Sequence, residues 1–486
     1  MIPILSCAEM RQAEEKSFSI GLSGRLLMEN AATAAYNKIK ALRPDGVIVL
    51  LGKGNNAGDG AAVARRLYAA KIPVLMVMVG EGARPETDAA ANITLAQKMG
   101  VPMTKWQAFE KDAKNYLLVD AMLGTGLRGN VEGDFKDAIL WMNACPNVKV
   151  ALDIPSGIDG DSGMVHGCAV RADYTIAFGF PKLGLYAPLS ADYVGEVSTD
   201  DISLPAPLDC KRFLLTEEDI TLPRLSRAAH KGMAGRVAVI GGSVGMCGAV
   251  YMAAEAAQMC GAGLVTAVVP EALLGPLMAK FTGAMASVVC PKADVIVLGG
   301  GMGRGAEGEK AFRQGMAEDV KAMVVDADAL YHIKKEDIKN TRAEVIVTPH
   351  MGEMAHITGK TVEFLTENRV TAAEALAKDW GVTVVLKGAY TVVARRDGTT
   401  YINMTGNPGM AKGGSGDILA GMIGGLLASG VSSAAEKGVY LHGLVGDLAA
   451  ENVGERAMCA KTLLNFIPNA IKCMEGEKVV KNRNVT

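Results

Sequence analysis

Closely spaced cysteines are absent from this chain of 486 residues. Its nine cysteines, at 7, 145, 168, 210, 247, 260, 290, 459 and 473, form no Cys-x-x-Cys pair and are odd in number. That excludes a disulfide framework and points to free thiols in a reducing compartment, so the expected location is the cytoplasm. The six histidines, at 166, 230, 332, 350, 356 and 442, never fall in a His-x-x-x-His spacing, so no zinc site is expected. An excess of one charge is missing too. With 50 basic and 52 acidic residues, no long-range field steers the protein to nucleic acid or an anionic membrane, which leaves a small-molecule partner. Residues 237–254 and 418–435 carry no charge, but Gly and Ser interrupt both, as in buried helices and strands rather than membrane spans. The opening "MIPILSCAEMR" lacks a basic n-region, and its apolar stretch is too short for a lipoprotein signal.

What is present is an alternation. The first forty or so residues have helical periodicity with a break near Gly21, which predicts two helices. Short apolar runs separated by helix-length segments follow: "VIVLLG" (47–52), "PVLMVMVG" (73–80), "NYLLVDAML" (115–123), "VKVALDIPSG" (148–157) and "YTIAFGF" (174–180). Such runs predict a parallel sheet covered on both faces. Between Leu204 and Arg227 the pattern lapses around Pro205, Pro207 and Pro223, where a linker is expected. A second series comprises "RVAVIGGS" (236–243), "LVTAVVP" (264–270), "DVIVLGGG" (294–301), "AMVVDADAL" (322–330), "EVIVTPH" (344–350) and "TVVLKGAYTVVA" (383–394). The length and the lack of a shared repeat predict two different α/β domains, 1–212 and 213–486.

In both series the apolar runs end on Gly, Asp, Asn or His. Ligands of open parallel sheets bind outside the carboxyl ends of the strands, so each half should own one crevice. In the first, "GKGNNAGDG" (52–60) follows a strand and precedes the helical "AAVARRLYAA"; its glycines permit close backbone approach, and its N–H groups suit an anion. "DAMLGTGLRGN" (120–130) and "LDIPSG" (152–157) supply two more loops. Asp120, Asp153, the amide oxygen of Asn56 and the hydroxyl of Ser156 are hard ligands for a cation, with one carboxylate to spare as acid or base. Turn-capping by the two aspartates is the plainer alternative.

These three segments, in this order and spacing, resemble the epimerase domain of the bifunctional NAD(P)H-hydrate repair enzymes, and imply a Rossmann-like doubly wound parallel sheet. By that resemblance Asn55, Asn56, Ala57, Gly58, Asp59, the loop Gly124, Thr125, Gly126, Leu127, Arg128, Gly129 and Asn130, and Asp153 bind hydrated dinucleotide. K+ is implied among Asn56, Asp120 and Ser156. Ala57 stands where the family usually has Gly, a departure that matters only if the position needs positive φ. The implied chemistry is inversion at C6 of the hydrated ring, with Asp153 as first candidate for proton transfer and Lys182 as second.

In the second crevice, "GGSGD" (413–417) before the apolar helix "DILAGMIGGLLASG" reads as an anion nest at a helix N-terminus, with Ile418, Leu419, Met422, Ile423, Leu426 and Leu427 as its anchor. Standing alone it reads first as an N-capping Asp after a flexible loop. Together with "GGSVGMCGA" (241–249), "GGGMG" (299–303), "DADAL" (326–330), "HMGEM" (350–354) and "LKGAYT" (386–391), it resembles the ribokinase-like dehydratase domain of the same family. Gly300 and Met351 replace residues that are commonly Pro there. The resemblance implies that Ala249, Gly301, His350 and Asp417 contact the hydrate, whereas Lys387, Gly388, Ala389, Tyr390, Thr391 and Gly416 hold the nucleotide. Asp417 would be the catalytic base, with Mg2+ bridging the phosphates of ADP or ATP. The competing readings are a ribokinase-like small-alcohol kinase fused to a dinucleotide-binding domain, and a dinucleotide sensor without turnover. A homo-oligomer with no nucleic-acid or membrane partner completes the expectation.

Overall fold

The computed structural model describes residues 1–205, 209–223 and 234–475. Pro207 and residues 224–227 of the expected linker lie outside them. The chain forms two compact units: Pro3–Cys210, and Lys211 onward together with Met1–Ile2.

In the first unit, helices Cys7–Ser19 and Gly24–Ala41 are the two expected before the sheet. The strands then run in the spatial order Met103–Lys105, Val74–Met78, Val47–Leu51, Leu117–Ala121, Lys149–Leu152, Tyr174–Phe178, Glu196–Asp200, all parallel. In chain order this is 3-2-1-4-5-6-7, the doubly wound arrangement, and it puts the switch point between Val47–Leu51 and Leu117–Ala121. Alternating side chains feed two cores. Val47, Val49 and Leu51 meet Ala31, Ala35, Ala61 and Ala64 on one face. Ile48, Leu50 and Leu118 meet Ala138, Ile139 and Met142 on the other.

The second unit repeats the logic. From Met285–Ser287 the sheet passes through Leu264–Val268, Arg236–Ile240, Val295–Leu298, Ala322–Val325 and Glu344–Val347 to Thr383–Leu386, all parallel, so its switch point lies between Arg236–Ile240 and Val295–Leu298. The run 383–394 is not one strand. Thr383–Leu386 and Val392–Ala394 pair antiparallel, and Val392–Ala394 pairs antiparallel with Thr400–Ile402. The "KGAYT" segment is the turn between the first two, with Gly388 at φ +136° and Tyr390 at φ +53°. A run apolar on both faces hides such a reversal, because burial removes the polar alternation that marks a hairpin.

Helix Ser415–Ala428 is buried along most of its length and packs on Cys247–Met259 almost backbone to backbone. A Cβ on Gly421 or Gly425 would collide with the carbonyl oxygen of Ala253 or Ala257. Gly421→Ala therefore sets about 1 kcal/mol of helix propensity against about 1–3 kcal/mol of overpacking, and backbone carbonyls cannot swing aside. The urea-unfolding midpoint of the unit should fall in Gly421→Ala and hold or rise in Gly248→Ala, where an added Cβ meets nothing within 4 Å.

Candidate active sites

Each switch point carries a cluster of polar side chains. In the first unit, Gly54 caps a helix that already begins at Asn55 and runs to Ala69, so the expected Asn-Asn loop is the helix's first turns. The reason is local: the amides of a first turn need no intrahelical partner, and the buried Ala57 and Gly58 let the turn pack tightly. Ala57 has no positive φ, so its methyl group is tolerated.

Asn56 turns inward. Its Nδ2 donates to Leu123 O at 3.1 Å, while its buried Oδ1 meets no donor among the described residues. Beside it, the fully buried Asp120 accepts from the Ser156 hydroxyl (2.6 Å), Ser156 N–H (2.7 Å) and Met122 N–H (3.2 Å). Burial outweighs those three bonds and pushes the Asp120 carboxyl up to about 6. One carboxylate, one orphaned amide oxygen, one hydroxyl and a carbonyl thus converge, a donor set suited to a single positive charge.

Asp153 sits just past its strand at φ +64°, a left-handed conformation that costs a non-glycine residue about 1–3 kcal/mol. Its carboxylate accepts from the Lys182 ammonium, and Lys182 is 1 % exposed. A cavity of about 820 Å³ opens over this pair and is also lined by Asn55, Asp59, Gly124–Arg128 and Asn130. Ala57 and Gly58 lie buried behind its wall. Burial, and then the charge of Asp153, push the Asp59 carboxyl well above its usual range. Glu14 and Arg11, from helix Cys7–Ser19, line the same cavity, although no motif pointed to them.

In the second unit, Gly242 N–H donates to Gly300 O (2.9 Å), tying the two strand ends of the switch point together. Around that tie converge Ala249, Gly301 and Asp417: a Cβ on Gly300 would stand 2.8 Å from Asp417 Oδ1 and 3.3 Å from the Ala249 Cβ. Gly414, at φ +95°, turns the chain into the helix that carries Asp417. Burial, followed by the charge of Asp326, pushes the Asp417 carboxyl up to about 7, with Lys387 pulling the other way. Lys387 Nζ donates to buried Asp326 (2.5 Å) and lies 3.6 Å from buried Glu353. His350 caps helix Met351–Thr358: its Nδ1 accepts from Gly352 N–H (3.0 Å) and Glu353 N–H (3.2 Å), which puts the ring proton on Nε2, 3.3 Å from Glu353 Oε1. Met351 is the first helical residue, a position that suits Pro because its N–H has no intrahelical partner.

The "KGAYT" turn reaches the site through Lys387, and a Cβ on Gly416 would stand 3.4 Å from Lys387 Nζ. Beneath the turn lies Arg369, whose Nη2 donates to Leu386 O and Lys387 O, each at 3.0 Å. Burial lowers Arg369 to about 10, and no carboxylate pairs with it among the described residues. Asp326, Glu353 and Arg369 are parts of this cluster that the motifs did not single out as site residues; only "DADAL" and "HMGEM" touched the first two.

Among known proteins, residues 237–469 match the NAD(P)H-hydrate dehydratase family and residues 24–184 the YjeF-related protein N-terminus family. A bifunctional NAD(P)H-hydrate repair enzyme from Moorella thermoacetica is 36% identical, with 98% of this chain and 97% of the relative aligned. The chain belongs to the bifunctional NAD(P)H-hydrate repair enzymes. The Escherichia coli member is 34% identical over 95% of this chain and 93% of its own length. A solved ribokinase-like superfamily protein from Enterococcus faecalis, 27% identical, superposes with a TM-score of 0.50 over 56% of this chain and 99% of its own. The C-terminal fold is thus ribokinase-like, as its motifs implied.

Asp417 should titrate near 7 when followed by carboxyl carbon NMR. In Asp326→Asn its midpoint should move to lower pH, because a negative neighbour that favours the protonated form is gone while Lys387 remains.

Proposed function

We propose that this chain returns hydrated NADH and NADPH to the intact cofactors. Residues 1–212 interconvert the R and S hydrates, and residues 213–486 dehydrate the S form with ADP or ATP as phosphoryl donor. The observation that carries the reading is the nearly full-length match to bifunctional repair enzymes, with both family spans in one chain. It weighs against a small-alcohol kinase with a fused binding domain.

In the amino-terminal site the first turn of helix Asn55–Ala69 and the loop Gly124–Asn130 would hold the dinucleotide, with the helix N–H groups facing its phosphates. Asp153, which accepts from the Lys182 ammonium, is the group that exchanges a proton at the C6 hydroxyl. The orphaned Asn56 Oδ1, Asp120, Ser156 and the Leu123 carbonyl fit K+, which would supply the positive charge that buried Asp120 lacks. A set with only one carboxylate favours a monovalent over a divalent ion.

In the carboxy-terminal site, Asp417, raised to about 7, accepts the proton of the substrate hydroxyl. The N–H groups around Gly414–Gly416 hold the transferring phosphoryl group, while Lys387 and the turn Gly388–Thr391 hold the donor. Phosphate, unlike hydroxide, is then a competent leaving group: the ring nitrogen expels it, and loss of the C5 proton restores the double bond. Among the described residues no group of three or more His, Cys, Asp or Glu side chains is disposed to hold a metal, so Mg2+ would enter on the nucleotide's phosphates. Ala249, Gly301 and His350 remain the proposed hydrate contacts. A homo-oligomer in the cytoplasm belongs to the same proposal, and the nine free thiols are consistent with that compartment.

Purified protein given mixed R and S hydrates with ADP or ATP should restore the full nicotinamide absorbance and release phosphate. No recovery with either nucleotide would sink the reading. Asp153→Asn should slow epimerisation about 100-fold or more, so that only the S portion recovers promptly. Replacing K+ by Li+ should slow interconversion of R and S while sparing dehydration of pure S hydrate.

A further inference from the structure

We propose that Glu14 is a second proton-transfer residue of the amino-terminal site, acting on the hydrate's C6 oxygen from the wall built by helix Cys7–Ser19. The inference rests on the epimerase reading and adds to it the group that completes the reaction. Inversion by loss and return of hydroxyl makes two opposite demands. The departing oxygen must receive a proton, and the water that adds to the other face of the ring must surrender one. Asp153, which accepts from the Lys182 ammonium, can meet one of these demands at a time, which leaves the other to a second group on the cavity wall.

Glu14 is placed and conditioned for the first task. Leu5 N–H donates to Pro181 O and Leu183 N–H donates to Leu5 O, both at 3.0 Å, so the segment entering the helix is bracketed onto the residues flanking Lys182. Cys7 N–H donates to Asp161 Oδ1 (2.6 Å) and fixes the helix start. Met10 and Ala13 anchor the helix in the core, and Met10, Arg11, Glu14 and Phe18 line the cavity. No ion pair or hydrogen bond engages the Glu14 carboxyl among the described residues, although Asp153, Lys182 and Asp59 line the same cavity. Burial, and then the charge of Asp153, raise its proton affinity; Lys182 and Arg11 oppose them, and Glu15 adds to them weakly. The helix lies before residue 24, where the matched family span begins.

The step balances. Glu14 gives its proton to the C6 hydroxyl, the C–O bond breaks with its electron pair leaving on water, and the ring nitrogen's lone pair forms C=N. Water then adds to C6 from the other face as Asp153 takes its proton. Reversal exchanges the two roles, as an epimerase requires.

The test is Glu14→Gln and Glu14→Asp in the full chain, with epimerisation of purified R and S hydrates measured without nucleotide across a pH series. Nucleotide-dependent dehydration of S hydrate reports that the second unit is folded, and an unchanged KM for epimerisation reports that the first keeps its cavity. Glu14→Gln should lower kcat at least 100-fold in both directions with little change in KM, and in the direction in which Glu14 donates should abolish the fall in rate at high pH that the wild type shows as Glu14 loses its proton. Glu14→Asp should keep that limb and recover part of the rate. Wild-type kcat in Glu14→Gln, or a slow variant that keeps the high-pH limb, overturns the proposal. A wild type that never interconverts R and S overturns the epimerase reading itself.

Discussion

In each site a lysine withdrawn from water holds carboxylates that would otherwise repel one another. Lys182 binds Asp153 in a cavity shared with Asp59 and Glu14, and Lys387 lies between Asp326 and Glu353 with Asp417 close by. One ammonium cannot neutralise three carboxylates in a low dielectric. The carboxylate that touches the lysine has its counter-ion, while burial and then the charge of that carboxylate push Asp59, Glu14 and Asp417 toward carrying a proton. Acid and base can then coexist at one pH, a state that a uniformly solvated cluster would not sustain.

The sheets make that arrangement affordable by confining it. Apolar strands covered on both faces leave polar groups only the carboxyl edge, and the 3-2-1-4 strand order opens that edge at one point in each unit. The cost is visible in local structure: a positive φ at Asp153 and, among the described residues, an unpaired amide oxygen on Asn56 and a guanidinium without a carboxylate at Arg369. Each is stable only because the surrounding core is dense and the groups sit on rigid strand ends and helix starts.

Much of this was legible from residues in order. Parallel strands announced themselves as short apolar runs, and Asp120, Asp153, Lys387 and Asp417 stood where runs met helices. Three features were misread or missed for identifiable reasons. The first turns of helix Asn55–Ala69 looked like a loop because glycine and asparagine populate both. The strand 383–394 concealed a hairpin because both of its faces are buried. Glu14 was silent because an acidic residue on an amphipathic helix looks like any solvated face until the helix is docked.

The sequence by itself determined the two α/β units, the loops at their strand ends and the family, since periodicity and glycine spacing are local properties written along the chain. Tertiary structure alone decided which carboxylate meets which lysine, that Asn56 keeps an oxygen free among the described residues, and that helix Cys7–Ser19 lines the cavity beside Lys182. Those are relations between residues far apart in sequence. Their energies depend on burial and distance, which exist only once the chain has folded.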